Sequence, residues 1–145
     1  MKTILLPIML AMATAVCGQT VSKHKKLKTT DFGNQRLEAI ITNSDTTYVM
    51  FIATGNRFQK YLSCDLGNRE RALHLLTFLY ELEVDGEDVV DLENDTHNMV
   101  TKNGLGGLRV FSEGKALSGQ LRKPNIRGFI RAIKEFNGME VEAEE

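Results

Sequence analysis

The run from Thr47 to Ala53, which reads TYVMFIA, constrains the fold more than any other segment of the chain. It is rich in β-branched and aromatic residues, which favour strands. Successive side chains of a strand point to opposite faces, and in this run both faces are apolar. The pattern therefore predicts a strand that is buried on both sides.

The residues around this run predict its partner strands. Residues 37–42 alternate between apolar and polar side chains, which indicates a strand with one wet face, and Asn43-Ser44-Asp45 supplies turn chemistry. Gly55-Asn56 permits a tight hairpin because both residues tolerate positive φ. Residues 57–64 then return as a third strand that carries Phe58 on one face. Three antiparallel strands in meander order are the expected result.

After residue 67 the apolar residues no longer alternate but recur every three or four positions, which predicts a helix. Asn68 can cap this helix, Glu70 lies in its first turn, where the helix dipole favours an anion, and Gly86 lies past its end. Apolar residues at helical spacing form one stripe that covers the sheet. The members of this stripe are Ala72, Leu75, Leu76, Leu79 and Leu82.

The second half predicts short strands and a closing helix. Residues 89–92 form an edge strand among acidic residues, residues 99–100 form another strand, and residues 108–111 pair with residues 115–121. Pro124 suits the first position of the last helix. The apolar stripe of that helix consists of Ile126, Phe129, Ile130, Ile133 and Phe136. The expected fold class is α+β in a single small domain, with an antiparallel sheet (βββα), then short strands and a C-terminal α-helix.

Both ends are predicted to lie outside the globular domain, which occupies residues 36–138. Residues 1–18 combine a basic start, an apolar centre too short to span a bilayer and small residues near a cleavage site, as in a secretory signal peptide. Residues 19–35 are predicted to be a flexible basic arm and residues 139–145 an acidic tail. We therefore expect an exported protein, periplasmic or extracellular, with no transmembrane span after cleavage.

The cysteines leave open an alternative to free export. Cleavage removes Cys17 unless this residue is acylated, and acylation would make the protein a lipid-anchored surface component. Val16, directly before Cys17, is larger than the residue that a lipoprotein signal has there, which favours ordinary secretion. In both cases Cys64 has no intramolecular disulfide partner, so the fold depends on its core.

Cys64 is also the candidate nucleophile. A thiolate activated by His74 or His97 would make a thiol-dependent enzyme, which is the alternative function. The position of Cys64 between Leu62 and Leu66 favours a role in the core instead. The chain has no G-x-S-x-G motif for serine hydrolysis. We therefore predict no catalytic residues and no cofactor.

The acidic residues Asp91, Glu93 and Asp95 have the alternating oxygens that calcium prefers. An EF-hand beginning at Asp91 would need glycine and glutamate where the chain has Thr96 and Lys102, so that motif fails. The alternatives are an irregular calcium site and a solvated acidic loop, and we expect the loop.

Two further motifs have ordinary structural interpretations. Asn94-Asp95-Thr96 is a formal N-glycosylation triplet, which would require a surface loop there. Residues 103–107 are rich in glycine, but they precede a predicted strand and not a helix. They therefore predict a turn and not a phosphate-binding loop.

Charge argues against nucleic acid as a partner, since the whole chain carries a net charge of −1. Basic residues nevertheless cluster at positions 23–28, expected to be a solvated arm, and on the polar side of the last helix. The second cluster, Arg127, Arg131 and Lys134, is the predicted binding surface for an unknown protein or surface ligand. A sheet face is the other candidate. The predicted function is a non-catalytic binding or scaffolding domain whose oligomeric state the pattern does not indicate.

Overall fold

The computed structural model describes residues 22–30, 33–43, 45–84, 88–102 and 107–136. Within these ranges the chain forms two successive units, each with four strands followed by an α-helix. The α+β fold class is therefore confirmed. The predicted signal peptide, the acidic tail, Gly86 and residues 103–106 of the predicted glycine-rich turn lie outside the described residues.

In both units the strands lie side by side in chain order, so each sheet is a meander. The first unit consists of β1 (Ser22–Thr30), β2 (Gln35–Thr42), β3 (Asp45–Ala53), β4 (Tyr61–Gly67) and α1 (Arg69–Glu81). The second consists of β5 (Val90–Asp91), β6 (Met99–Lys102), β7 (Leu108–Phe111), β8 (Ser118–Leu121) and α2 (Lys123–Glu135). The predicted acidic edge strand is confirmed as β5.

Strand β3 contains the TYVMFIA run and pairs with β2 on one side and β4 on the other. Tyr48, Met50 and Ile52 alternate along it and are buried in the core. On the opposite face Phe51 is half-buried beneath Arg36, whose guanidinium lies 5.1 Å from the centroid of the Phe51 ring. Burial is thus confirmed on the core face and, on the opposite face, for Val49. Phe51 is only half-buried, with Arg36 over its ring.

Strand β1 corrects the prediction that residues 19–35 are a flexible arm. Residues 22–30 pair antiparallel with β2 and form the edge of the first sheet. The segment has little apolar content, and Leu27 is the side chain that packs against the core. Lysines on an edge strand discourage pairing with other chains. The same lysines gave the segment the composition of a solvated arm.

The connection between β3 and β4 corrects the prediction of a tight hairpin at Gly55-Asn56. Residues 54–60 form a wider loop, closed at its base where the Thr54 amide donates to the Lys60 carbonyl at 2.8 Å. Phe58, predicted on a strand face, lies in this loop and is 92% exposed. The Asn56 side chain accepts from two backbone amides of the loop, which stabilises the longer turn.

Helix α1 begins as predicted. The Asn68 side chain accepts a hydrogen bond from the Arg71 amide at 2.9 Å, which satisfies one of the unpaired donors of the first turn. Its stripe is buried at Ala72, Leu75, Leu76 and Leu79. The helix therefore covers the core face of the first sheet, as expected.

Helix α2 packs antiparallel to α1. The Arg69 guanidinium, at the start of α1, donates to the Lys134 carbonyl near the end of α2 at 3.3 Å. At the other end the Lys123 ammonium donates to the Leu82 carbonyl at 2.8 Å. Pro124 occupies the second helical position, one later than predicted, because the helix begins at Lys123.

Two buried polar side chains join the units. Gln35 of β2 donates to the Gln120 carbonyl of β8 at 2.8 Å and accepts from Asn125 of α2. Asn98 donates to the Ser63 carbonyl of β4 and to the Phe111 carbonyl of β7. The hydrophobic core also contains residues of both units. The described chain is therefore one packed domain.

Candidate functional site

The outer surface of α2 carries a row of positive charge. The inner surface is the predicted apolar stripe and is buried. Lys123, Arg127 and Arg131 lie four residues apart on the other side. Such residues share one face of a helix, about 6 Å apart along its axis. The helix therefore presents a row of basic side chains about 12 Å long.

Tyr80 of α1 borders this row. The Arg127 guanidinium lies 5.2 Å from the centroid of the Tyr80 ring and donates a hydrogen bond to its hydroxyl. A cation over an aromatic face is held in place by the ring's charge distribution. The space beside the row is an open cleft of about 570 Å³, lined by Tyr80, Lys123, Pro124, Arg127, Gly128 and Arg131.

Strand β1 borders α2 on the other side. Lys25 and Lys28 pair with buried residues of β2, so their side chains begin on the helix side of the sheet. One of them lies beside Gly128, where a Cβ would be 3.6 Å from the Lys28 Cε. The Lys25 ammonium lies 5.6 Å from the centroid of the Phe136 ring. A second open cleft, of about 370 Å³, lies between β1 and α2.

The two clefts meet at Gly128 and Arg131, which line both of them. Among the described residues, one carboxylate, that of Glu135, lines the second cleft, and no carboxylate lines the first. None of the basic residues around the clefts forms an ion pair within the described part of the chain. We call this surface the basic face; it consists of Lys25, Lys26, Lys28, Lys123, Arg127 and Arg131.

Clustered cations that outnumber the nearby carboxylates create a positive potential, which attracts anions even though the whole chain is slightly acidic. Open clefts between the side chains would let a ligand approach several cations at once. The arrangement can therefore hold an anionic group, or a row of them, by charge-assisted hydrogen bonds.

The structure places two of the three predicted binding residues on the basic face. Arg127 and Arg131 line the first cleft, whereas Lys134 is exposed but lines neither cleft. Sequence reasoning missed the contributions of Lys28 and Tyr80. The lysine cluster was visible in the sequence, but no local signal indicated that it would lie beside α2.

The thiol lies in the core. Cys64 is fully buried, and its closest polar contact is the Asn94 amide, 3.5 Å from the sulfur. Burial, and after it the charge of Asp65, raises the pKa of the Cys64 thiol to about 12. His74 and His97 are exposed and form no hydrogen bond with the thiol in the described chain. A catalytic cysteine needs a lowered pKa and access to substrate, and this environment provides neither.

The acidic loop does not converge on a cation. Asp91, Glu93 and Asp95 are exposed, and an Asp91 carboxylate oxygen instead accepts the Glu93 amide at 2.8 Å. Across residues 22–136, apart from the undescribed gaps, no group of three or more acidic, histidine or cysteine side chains is placed to hold a metal. The carboxylates of this loop therefore face solvent, and that of Asp91 stabilises a turn.

Asn94 corrects the glycosylation interpretation. The triplet requires a surface side chain, but Asn94 is 3% exposed. Its amide donates to the Asp65 carbonyl at 2.9 Å and to the Asn98 side chain at 2.8 Å. The backbone of the loop is at the surface, whereas this side chain points inward and satisfies polar groups of the core. A glycan at Asn94 is incompatible with these contacts.

In the part of the chain that the structure describes, no helix has the length and apolar content needed to cross a membrane. Comparison of the chain with protein-family models, with curated proteins and with solved structures gives no match. The chemistry of the basic face is therefore the basis for a functional proposal.

Proposed function

We propose that this protein is a non-catalytic binding domain that holds an acidic protein segment along its basic face. The observation that carries the proposal is the meeting of two basic segments, far apart in sequence, around Gly128. Each segment alone is an ordinary solvated surface. Together they border two connected clefts lined by many cations and one carboxylate.

The form of the basic face favours an extended ligand with several negative charges. The basic row on α2 is about 12 Å long, and the lysines of β1 lie beside its far half. A single small anion would contact a few of these cations and leave the others without counter-charges. A peptide with repeated Asp or Glu side chains would pair with cations on both elements at once.

Tyr80 adds an aromatic contact that fixes one of the cations of the basic face. Its ring holds the Arg127 guanidinium in one orientation. A guanidinium that is already positioned loses less side-chain freedom when it pairs with a carboxylate. Within the described residues no aromatic ring supports Arg131 in this way, so it can adjust to the ligand from its position between the clefts. Predicted export and predicted lipid anchoring are both compatible with this function.

The test compares two charge reversals that change the net charge equally. Arg131→Glu lies at the centre of the basic face, whereas Lys115→Glu lies in the short 3-10 helix Glu113–Lys115, away from both clefts. The probe is a fluorescently labelled oligoglutamate peptide, and binding is measured by anisotropy at several salt concentrations. We expect Arg131→Glu to weaken binding at least about tenfold and Lys115→Glu to change it less than about twofold.

Salt provides the second readout. Binding by the unmodified chain should weaken as ionic strength rises, because exposed charges are screened over about 10 Å at 0.1 M salt. Equal losses from the two reversals would mean that net charge and not the basic face controls binding. That result would refute the proposal. Circular dichroism of both variants would show whether the fold is retained.

A further inference from the structure

The loop between β3 and β4 holds an aromatic side chain in solvent. Phe58 is 92% exposed, compared with 45% for Val89 and 40% for Phe78, the other large hydrophobic residues exposed in the described chain. Isolated apolar residues at a surface are common. An almost fully exposed phenylalanine at the tip of a loop is less common, and its removal from water would be favourable.

The loop is built to present this side chain. The Asn56 carboxamide oxygen accepts from the Phe58 amide at 2.8 Å and from the Gln59 amide at 3.2 Å. Thr54 closes the base of the loop through its amide to Lys60 and its hydroxyl to the Gln59 carbonyl. These bonds fix the backbone on both sides of Phe58. The side chain therefore projects from an organised loop.

Basic residues surround this tip. The Arg57 guanidinium lies 5.8 Å from the centroid of the Phe58 ring, and Lys60 is exposed at the end of the loop. The loop also borders a cleft of about 330 Å³ to which Arg109 and Arg122 contribute and which no described carboxylate lines. Positive charge thus lies beside the exposed ring, at Arg57, and in the cleft that borders the start of the loop.

We propose that residues 54–60 dock on the surface of an anionic lipid bilayer. Phe58 enters the boundary between headgroups and acyl chains, while Arg57 and Lys60 contact lipid phosphates. An anionic bilayer presents apolar and negative groups at adjacent depths, which matches an aromatic tip surrounded by cations. A pocket on a protein partner would normally contact a cluster of apolar and aromatic residues. Among the described residues, the other exposed large hydrophobic side chains are Phe78, on α1, and Val89, directly before β5, so neither belongs to this loop.

This inference does not rest on the proposed function. Arg57, Phe58 and Lys60 line neither cleft of the basic face. An acidic peptide and a bilayer would therefore be bound by different side chains. Either site can fail a test while the other passes.

The chain contains no tryptophan, so Phe58→Trp places a single tryptophan at the tip, and this residue can be excited selectively over the three tyrosines. The experiment uses the full chain with vesicles of phosphatidylcholine alone and of phosphatidylcholine with phosphatidylglycerol. Residues 4–16 are apolar and could hold the chain on either bilayer, so the readout is the emission of the loop itself. Phe78→Trp, on the exposed side of α1, is the matched control.

We expect the emission of Phe58→Trp to shift to shorter wavelength with the anionic vesicles and to stay unchanged with the neutral vesicles and in the control. Adding Arg57→Glu and Lys60→Glu should raise the lipid concentration at half-maximal shift at least about tenfold. Adding Arg131→Glu instead should leave this concentration within about twofold, because the basic face is a separate site.

Five results would overturn the inference. One is the absence of a shift with both kinds of vesicle, and another is an equal shift with both, which would show apolar contact without recognition of charge. The third is a shift of the Phe78→Trp control, which would indicate general adsorption. The fourth is loss of the shift on Arg131→Glu, which would assign membrane binding to the basic face. A shift that requires added protein and occurs without lipid would identify a protein partner and likewise exclude the bilayer.

Discussion

The Cys64 thiol shows how its surroundings determine the chemistry of a single residue. The side chain is fully buried, and burial, followed by the charge of Asp65, raises its pKa to about 12 from an ordinary value of 9.0. The Asn94 amide opposes this shift but does not reverse it. At neutral pH the thiol is therefore protonated and shielded from reagents.

We expect the folded protein to react with a thiol reagent at neutral pH at least about a hundredfold more slowly than the denatured protein. The variant Cys17→Ser leaves Cys64 as the sole cysteine, so a colorimetric thiol assay reports on this residue alone. Rapid reaction of the native protein would contradict the core position of Cys64 and would support the alternative function, a thiol-dependent enzyme.

The same pKa shift makes stability depend on pH. The folded thiol keeps its proton to a higher pH than the unfolded thiol, so the folded state binds more protons between pH 9.0 and about 12. The free energy of unfolding should fall as pH rises through this window. Urea denaturation of Cys17→Ser, compared with Cys17→Ser/Cys64→Ala, isolates this effect. Parallel pH profiles would show that Cys64 does not cause it.

At the scale of elements, two glycines differ in how closely the neighbouring strand approaches them. Gly119 of β8 lies against β3, and a Cβ there would be 2.5 Å from the Ile52 Cγ2 and 2.6 Å from the Ala53 carbonyl oxygen. Gly128 of α2 is different, because a Cβ there would be 3.6 Å from the Lys28 Cε, an ordinary contact distance.

We therefore expect opposite results from the same substitution. Gly119→Ala should lower the free energy of unfolding by about 2 kcal/mol or more, because backbone atoms of β3 and β8 must separate. Gly128→Ala should raise it by about 0.5–1 kcal/mol, because alanine favours a helix interior. Urea denaturation of both variants measures the difference. If Gly119→Ala were neutral, β8 would not pack on β3 as described.

At the scale of the whole molecule, Asn98 connects the two units. Its amide donates to the Ser63 carbonyl in the first sheet at 3.2 Å and to the Phe111 carbonyl in the second at 3.0 Å. Asp in its place would put a carboxylate against two carbonyl oxygens in a fully buried position. The carboxylate would then repel the carbonyl oxygens of both units, and its charge would be buried without the solvation that it has in water.

We expect Asn98→Asp to lower the free energy of unfolding by about 3 kcal/mol and to leave a single transition. The three tyrosines lie in the first unit, so their fluorescence reports on that unit, whereas far-ultraviolet circular dichroism reports on both. Both signals should shift together. The exposed neighbour provides a control, since Asp95→Asn should change stability by less than about 0.5 kcal/mol. Separate transitions would show that the units unfold independently.

Much of the fold was predictable because its signals are local. The Asn68 cap, the stripe of α1 and the alternating apolar residues of β2 each lie within one or two turns or within one strand. The candidate site was predictable in part, since the cations of α2 follow from its helical period. Strand β1 and the inward direction of Asn94 were not predictable, because a lysine-rich strand and a polar triplet resemble solvated segments until their neighbours are known.

The fold class, the core stripes and the basic side of α2 follow from the amino-acid sequence alone, because the spacing of apolar residues and helix capping act between residues close along the chain. The position of the β1 lysines beside the same clefts as Arg127 and Arg131, and the retained proton of Cys64, depend instead on how the chain packs. Electrostatic potential and desolvation are set by distances between residues far apart in sequence. Those distances are set when the sheets and helices pack.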